Sequence, residues 1–184
     1  MQRSGRILVV CHCLLNANAK VRPLAAYGGA HLEALRPWLE QGVGLFQLPC
    51  PETACLGLRR WGMTREQYDH PAFRRACRGL LQPVLDQLAA FAADGCEVVA
   101  VVGMDGSPNC GAFATCAGFL GGEVSSPATR LDDQVAALRI APGRGVFLEE
   151  LAAALDAAGL DIPFWAVDEA RPGRLRTSAE SQPE

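Results

Sequence analysis

Apolar positions in this chain gather into short unbroken runs set between longer stretches of helical period. Ile7 to Val10, Gly44 to Leu48, Val98 to Val102 and Ile162 to Val167 are the runs. Consecutive apolar residues, many of them β-branched, predict strands buried on both faces, as in a parallel sheet. Between them the period changes. Leu32, Leu35 and Leu39 mark one face of a helix that Gly42 stops, with Pro37 either kinking it or lying in its first turn. Asp69 or His70 caps, and Pro71 opens, a long helix with Phe73, Cys77, Leu80, Leu81, Val84, Leu88 and Phe91 inward, ended by Gly95 and bent at Pro83. Val146, Leu151 and Leu155, with Gly159 behind them, form a last helix.

This alternation predicts an α/β fold: an open, doubly wound, mostly parallel sheet with flanking helices, Rossmann/flavodoxin-like, in a single domain over residues 1–168. Residues 169–184 are polar and are expected to form a flexible tail. Glu52 to His70 reads as irregular, and Ala112 to Pro142, with Gly118, Gly121 and Gly122, as a mobile connection that is either functional, as a lid would be, or contains a helix whose position the pattern does not give.

Composition narrows the function classes. At 184 residues, 49% hydrophobic, the chain can bury one core. A net charge of −3 gives no electrostatic reason for a nucleic-acid or acidic-membrane partner, so a small molecule is expected. The eight cysteines could suggest a disulfide scaffold, but the apolar runs and the polar start leading straight into the first strand point to reduced thiols in the cytoplasm.

The chemistry lies where the strands end. Ligands of open parallel sheets bind beyond the strands' carboxyl ends. Cys13, Cys50 and Cys110 each follow a predicted strand, so the topology brings them to one edge. Three soft thiolates suit an iron–sulfur cluster or zinc, and three ligands leave one metal position open. Structural zinc usually takes four ligands from close pairs such as C-x-x-C, which this chain lacks. Cys11 reads as a core thiol and stands as the alternative first ligand; Cys77 and Cys96 read as packing residues, as do Cys55 and Cys116, although these last two lie near the expected mouth.

The phrases around these cysteines are more specific. Cys13-Leu14-Leu15-Asn16, Leu48-Pro49-Cys50-Pro51-Glu52 and Gly106-Ser107-Pro108-Asn109-Cys110-Gly111 occur in that order at successive strand ends. In them the chain resembles the thiouracil desulfidase family. The resemblance implies a [4Fe–4S] cluster on Cys13, Cys50 and Cys110, with one iron free of protein ligands and used to remove sulfur hydrolytically, without redox change, from a thiocarbonyl small molecule such as a thio-nucleobase.

The chemistry has its own logic, since an iron with an empty site polarises C=S for attack by water and holds the departing sulfide. Glu52, two residues past a ligand, is placed to move a proton to or from that water, and Ser107 to hydrogen-bond the substrate's heteroatom. The family's Tyr-Asp-Gly-like and Gly-Gly-Leu-Pro-type segments are replaced here by Asn16, Asn18 and Lys20 and by Thr53 to Thr64, which marks a divergent branch.

Plainer readings stand beside these. The thiols can hold zinc or a cluster for structure or redox sensing, without catalysis. His12 reads as a hydrogen-bonded structural residue and His31 and His70 as helix starts. Arg59-Arg60 and Arg74, Arg75 and Arg78 read as a solvated face paired with acidic residues, and Trp38 and Trp61 as packing.

Overall fold

The computed structural model describes residues 3–123, 126, 128–169 and 175–177. In chain order its elements are β1 (Arg6–Val10), α1 (His12–Leu15), α2 (Leu32–Glu40), β2 (Gly44–Gln47), α3 (Pro51–Leu56), α4 (Arg65–Tyr68), α5 (Pro71–Ala93), β3 (Glu97–Met104), β4 (Ala114–Ala117), α6 (Leu131–Ala137), β5 (Arg139–Pro142), α7 (Val146–Ala157), β6 (Phe164–Val167) and β7 (Leu175–Arg176).

The main sheet runs β2-β1-β3-β6-β7, parallel except for β7. Val9 sits beside Phe46 on one side and Val101 on the other. Its centre is dry: Leu8, Val9, Val10, Ala100, Val101, Val102, Ala166 and Val167 are fully buried, as their unbroken apolar runs require. The fold is therefore the expected α/β class. From β1 the chain crosses through α2 to β2 in one direction, then returns through α5 to β3 and through α7 to β6 in the other. Crossovers of one hand running in opposite directions put α2 on one face and α5 and α7 on the other.

Helix α5 buries Phe73, Cys77, Leu81, Val84 and Leu88, starts on a His70 ring nitrogen that accepts the Phe73 N–H, and ends before Gly95. Across the seam to α7, Arg74 and Arg78 pair with Glu149 and Glu150. Among the described residues no helix is long and apolar enough to cross a membrane.

Four expectations need correction or completion. In α2 the inward residues are Ala34 and Leu35, with Trp38 against Trp165; Leu32 and Leu39 are about half exposed, and Pro37 lies inside the helix. The stretch after Cys50 is not irregular but holds α3 and α4, the latter started by a Thr64–Gln67 capping box. Between Ala112 and Pro142 the helix alternative holds, as α6, and it is set between β4 and β5, an antiparallel pair that the pattern did not predict; residues 124, 125 and 127 lie outside the described ones. In the polar tail, Leu175 and Arg176 pair with Val167 and Ala166, while residues 170–174 and 178–184 lie outside the described residues.

Candidate functional site

Neighbours of β1 are reached in opposite directions along the sheet, so a crevice opens beyond the carboxyl ends of β1 and β3. A cavity of about 260 Å³ lies there. It is lined by Cys13, Cys50 and Cys110, by Glu52 and Ser107, and by Lys20, Arg60 and Glu169 among others. Every residue singled out for chemistry thus faces one cavity, although the three cysteines come from three separate strand ends.

Each thiol is set by local backbone. Strand β1 stops at Val10, Cys11 caps α1 with no side-chain bond to it, and Cys13 falls in the short helix, its carbonyl accepting the Tyr27 hydroxyl at 2.9 Å. This turn separates the two candidates for first ligand: Cys11 is fully buried, whereas Cys13 opens on the cavity. Pro49 and Pro51 end β2 and start α3, and Cys50 is the residue between them, its Sγ accepting the Thr53 N–H at 3.4 Å.

Cys110 belongs to a loop tied at almost every residue. Oδ1 of Asp105 accepts the N–H groups of Ala112, Phe113 and Ala114 at 3.1, 2.9 and 3.1 Å, and Oδ2 takes Arg176 at 2.7 Å. The Pro108 and Asn109 carbonyls accept the Val146 and Leu148 N–H groups, satisfying donors that the first turn of α7 leaves open. The fit allows no side chain at three positions: a Cβ on Gly103 would stand 2.4 Å from the Cys110 oxygen, one on Gly111 2.1 Å from the Ala114 oxygen, and one on Gly145 2.4 Å from the Asn109 carbonyl carbon.

Glu52 and Ser107 are held within the same framework. Glu52 Oε2 takes Arg60 Nε at 3.0 Å and Oε1 takes Asn109 Nδ2 at 3.1 Å, so both oxygens are anchored. Arg60 also donates to the Gly57 and Ala19 carbonyls and its side chain is only 5% exposed, so it is not on a solvated face as the sequence suggested. Arg60, Asn109 and Asp105 are the residues sequence reasoning missed here; the phrase around Cys110 contained Asn109, but nothing in it named Glu52 as its partner. The Ser107 hydroxyl oxygen accepts the Asn109 and Cys110 N–H groups at 3.3 and 3.0 Å, and among the described residues its O–H is not engaged and can donate to a ligand.

The thiols feel one another. Burial, and then the Cys110 sulfur, push Cys13 well up. Cys110 rises through its hydrogen bond to Cys11 and then through burial, while for Cys11 that bond works downward and is outweighed by burial and the nearby Cys13 and Cys50. Cys13 and Cys110 therefore favour protonated sulfur in the metal-free pocket, and a cationic centre bound there would displace the protons. Among the described residues no three Cys, His, Asp or Glu side chains group as ligands of a single ion. Three thiols lining one cavity are a soft donor set of the chemical kind that an iron–sulfur cluster takes.

The remaining candidates fall away from the chemistry. His12 lines the cavity but its ring lies 2.8 Å from the Gln47 amide, and burial lowers its pKa. His31 caps α2. Cys77 is core, Cys96 is partly buried, Cys55 is exposed, and Cys116 sits in β4. Trp61 is 88% exposed, contrary to a packing role.

Fold and cavity together define a parallel α/β domain with a thiol-lined pocket at its topological switch point. The chain belongs to the same family as the uncharacterized protein MJ0003 of Methanocaldococcus jannaschii, to which it is 36% identical over 111 residues, 60% of this chain and 70% of that one. No family model and no solved structure matches the chain.

Proposed function

We propose that this protein is a divergent desulfidase of the thiouracil desulfidase type, holding a [4Fe–4S] cluster on Cys13, Cys50 and Cys110 and removing sulfur hydrolytically from a thiocarbonyl small molecule. The observation that carries the reading is the meeting of three thiols from three strand ends on one cavity that also contains an anchored carboxylate and a hydroxyl whose O–H is not engaged among the described residues. When bound, the cluster would supply a thiophilic Lewis acid with one open position.

The chain's own groups do the rest. Glu52, aimed by Arg60 and Asn109, accepts a proton from the attacking water and returns one to the leaving side. Ser107 donates to the substrate's ring heteroatom and orients the thiocarbonyl. Apolar Val21, Leu24, Met63 and Met104 line the cavity and limit water around the reacting carbon. All eight cysteines are free, as a reducing cytoplasm would keep them.

The test is iron and acid-labile sulfide per chain on protein purified without oxygen, followed by sulfide release from a panel of thiocarbonyl heterocycles. A near-stoichiometric cluster with turnover is the expected result. Zinc in place of iron, or no metal after anaerobic reconstitution, would leave the rival reading of a structural or sensing module and end this one.

A further inference from the structure

Two cations that line the cavity, Lys20 and Arg60, are engaged differently. Arg60 is fully committed: Nε bonds Glu52 and the two terminal nitrogens bond the Gly57 and Ala19 carbonyls. Lys20 is not. Its side chain is 11% exposed, and its ammonium forms an ion pair with Glu169, from the segment after β6. Among the described residues no acceptor other than Glu169 reaches Lys20 Nζ. An ammonium carries three N–H donors, and buried donors without acceptors are costly.

Lys20 is also held in place. Its Nζ lies 5.3 Å from the centre of the Tyr27 ring, and the Tyr27 hydroxyl is fixed on the Cys13 carbonyl. The charge therefore stands at a set position beside the thiols, next to an apolar wall of Ala19, Val21 and Leu24.

We propose that Lys20 recognises a carboxylate on the substrate, and that Glu169 is an exchangeable stand-in which the substrate's carboxylate displaces. Exchange of one carboxylate for another leaves the charge of the pocket unchanged. Glu169, already 25% exposed, moves toward water, while the incoming group aligns on donors that Glu169 does not satisfy. The substrate class follows: a single-ring thiocarbonyl heterocycle bearing a carboxylate, of a size suited to about 260 Å³. The thiocarbonyl part of this assignment rests on the desulfidase reading; the carboxylate part rests on Lys20.

Calorimetric titration of the anaerobically purified full chain with a thiopyrimidine and its carboxylic-acid derivative tests it, with their oxo analogues run in parallel and iron measured on each sample. The carboxylate should bind about tenfold to a hundredfold more tightly than the neutral partner. Lys20→Met should erase that preference while keeping affinity for the neutral ring and the iron content, and Glu169→Gln should tighten the carboxylate further. Equal binding of the two ligands by the wild type, a preference that survives Lys20→Met, or tighter binding of a phosphate-bearing analogue would overturn the assignment. So would loss of iron in Lys20→Met, since Lys20 would then serve the thiols. If the desulfidase reading alone fails, the protein lacks iron and releases no sulfide, yet still prefers the carboxylated oxo analogue.

Discussion

Residues 105–113 and 114–142 follow one another in the chain and are built on different principles. The first stretch is short, and a buried carboxylate, a hydroxyl and the N-terminus of α7 tie its backbone. The second is long, attached at its start through Ala114 and Thr115 and mostly exposed over α6. No residue of α6 is buried, and Leu131, Val135, Leu138 and Ile140 are each at least half exposed. The β4–β5 pair gives it internal order, with one bond from Gly118 to Glu66 reaching α4. Backbone ties are concentrated around Cys110, while α6 and its flanks keep most of their apolar side chains in solvent.

Paired substitutions should break this contrast most sharply at the two cysteines. Cys110→Ala should abolish iron and sulfide binding altogether, whereas Cys116→Ala, in β4, should leave both at wild-type levels; chemical analysis of the two proteins decides. Removing the carboxylate should come next. Asp105→Ala strands three backbone N–H groups and Arg176, and should cost about 3 kcal/mol in denaturant unfolding. Gly145→Ala forces a methyl group against the Asn109 backbone and should cost about 2 kcal/mol, with looser cluster retention as the accompanying sign.

Alkaline pH probes the same region in the metal-free, reduced protein. Cys11 and Cys110 have pKa values raised in the fold, so above about pH 9 the unfolded chain loses protons that the folded one keeps. The contribution of these thiols should be constant below that value, and stability should fall as pH rises beyond it, by about 1.4 kcal/mol per pH unit for each thiol still protonated in the fold. A Cys11→Ala, Cys110→Ala double variant should show a flatter decline in melting temperature. The smallest effect belongs to the second stretch: Val135→Ser, 67% exposed in the wild type, should change stability by less than about 0.5 kcal/mol.

What could be foreseen divides along similar lines. Strands β1 and β3 were legible because a central parallel strand must be apolar on both faces. The gathering of Cys13, Cys50 and Cys110 on one cavity was legible because parallel topology sends all strand ends the same way, whereas the pairing of Glu52 with Ser107 rested on the family resemblance. Arg60 was misread, since a basic pair in sequence does not reveal that one member turns inward onto Glu52. Lys20 and Glu169 meet from opposite ends of the chain, and no local pattern records that. The β4–β5 pair escaped notice because Ala114-Thr115-Cys116-Ala117 is small and weakly alternating, and α6 is too short to establish a period.

If the three thiols share a cofactor as proposed, their separate origins would also set an order of events. Ligands in a C-x-x-C pair can seize a metal from a nascent chain and fold around it. Cys13, Cys50 and Cys110 meet only when β1, β2 and β3 have docked, so any cofactor they share must be delivered to a chain already folded. Supply of that cofactor, rather than synthesis of the polypeptide, would then determine how much protein is competent, and apoprotein should persist as a stable, rechargeable pool.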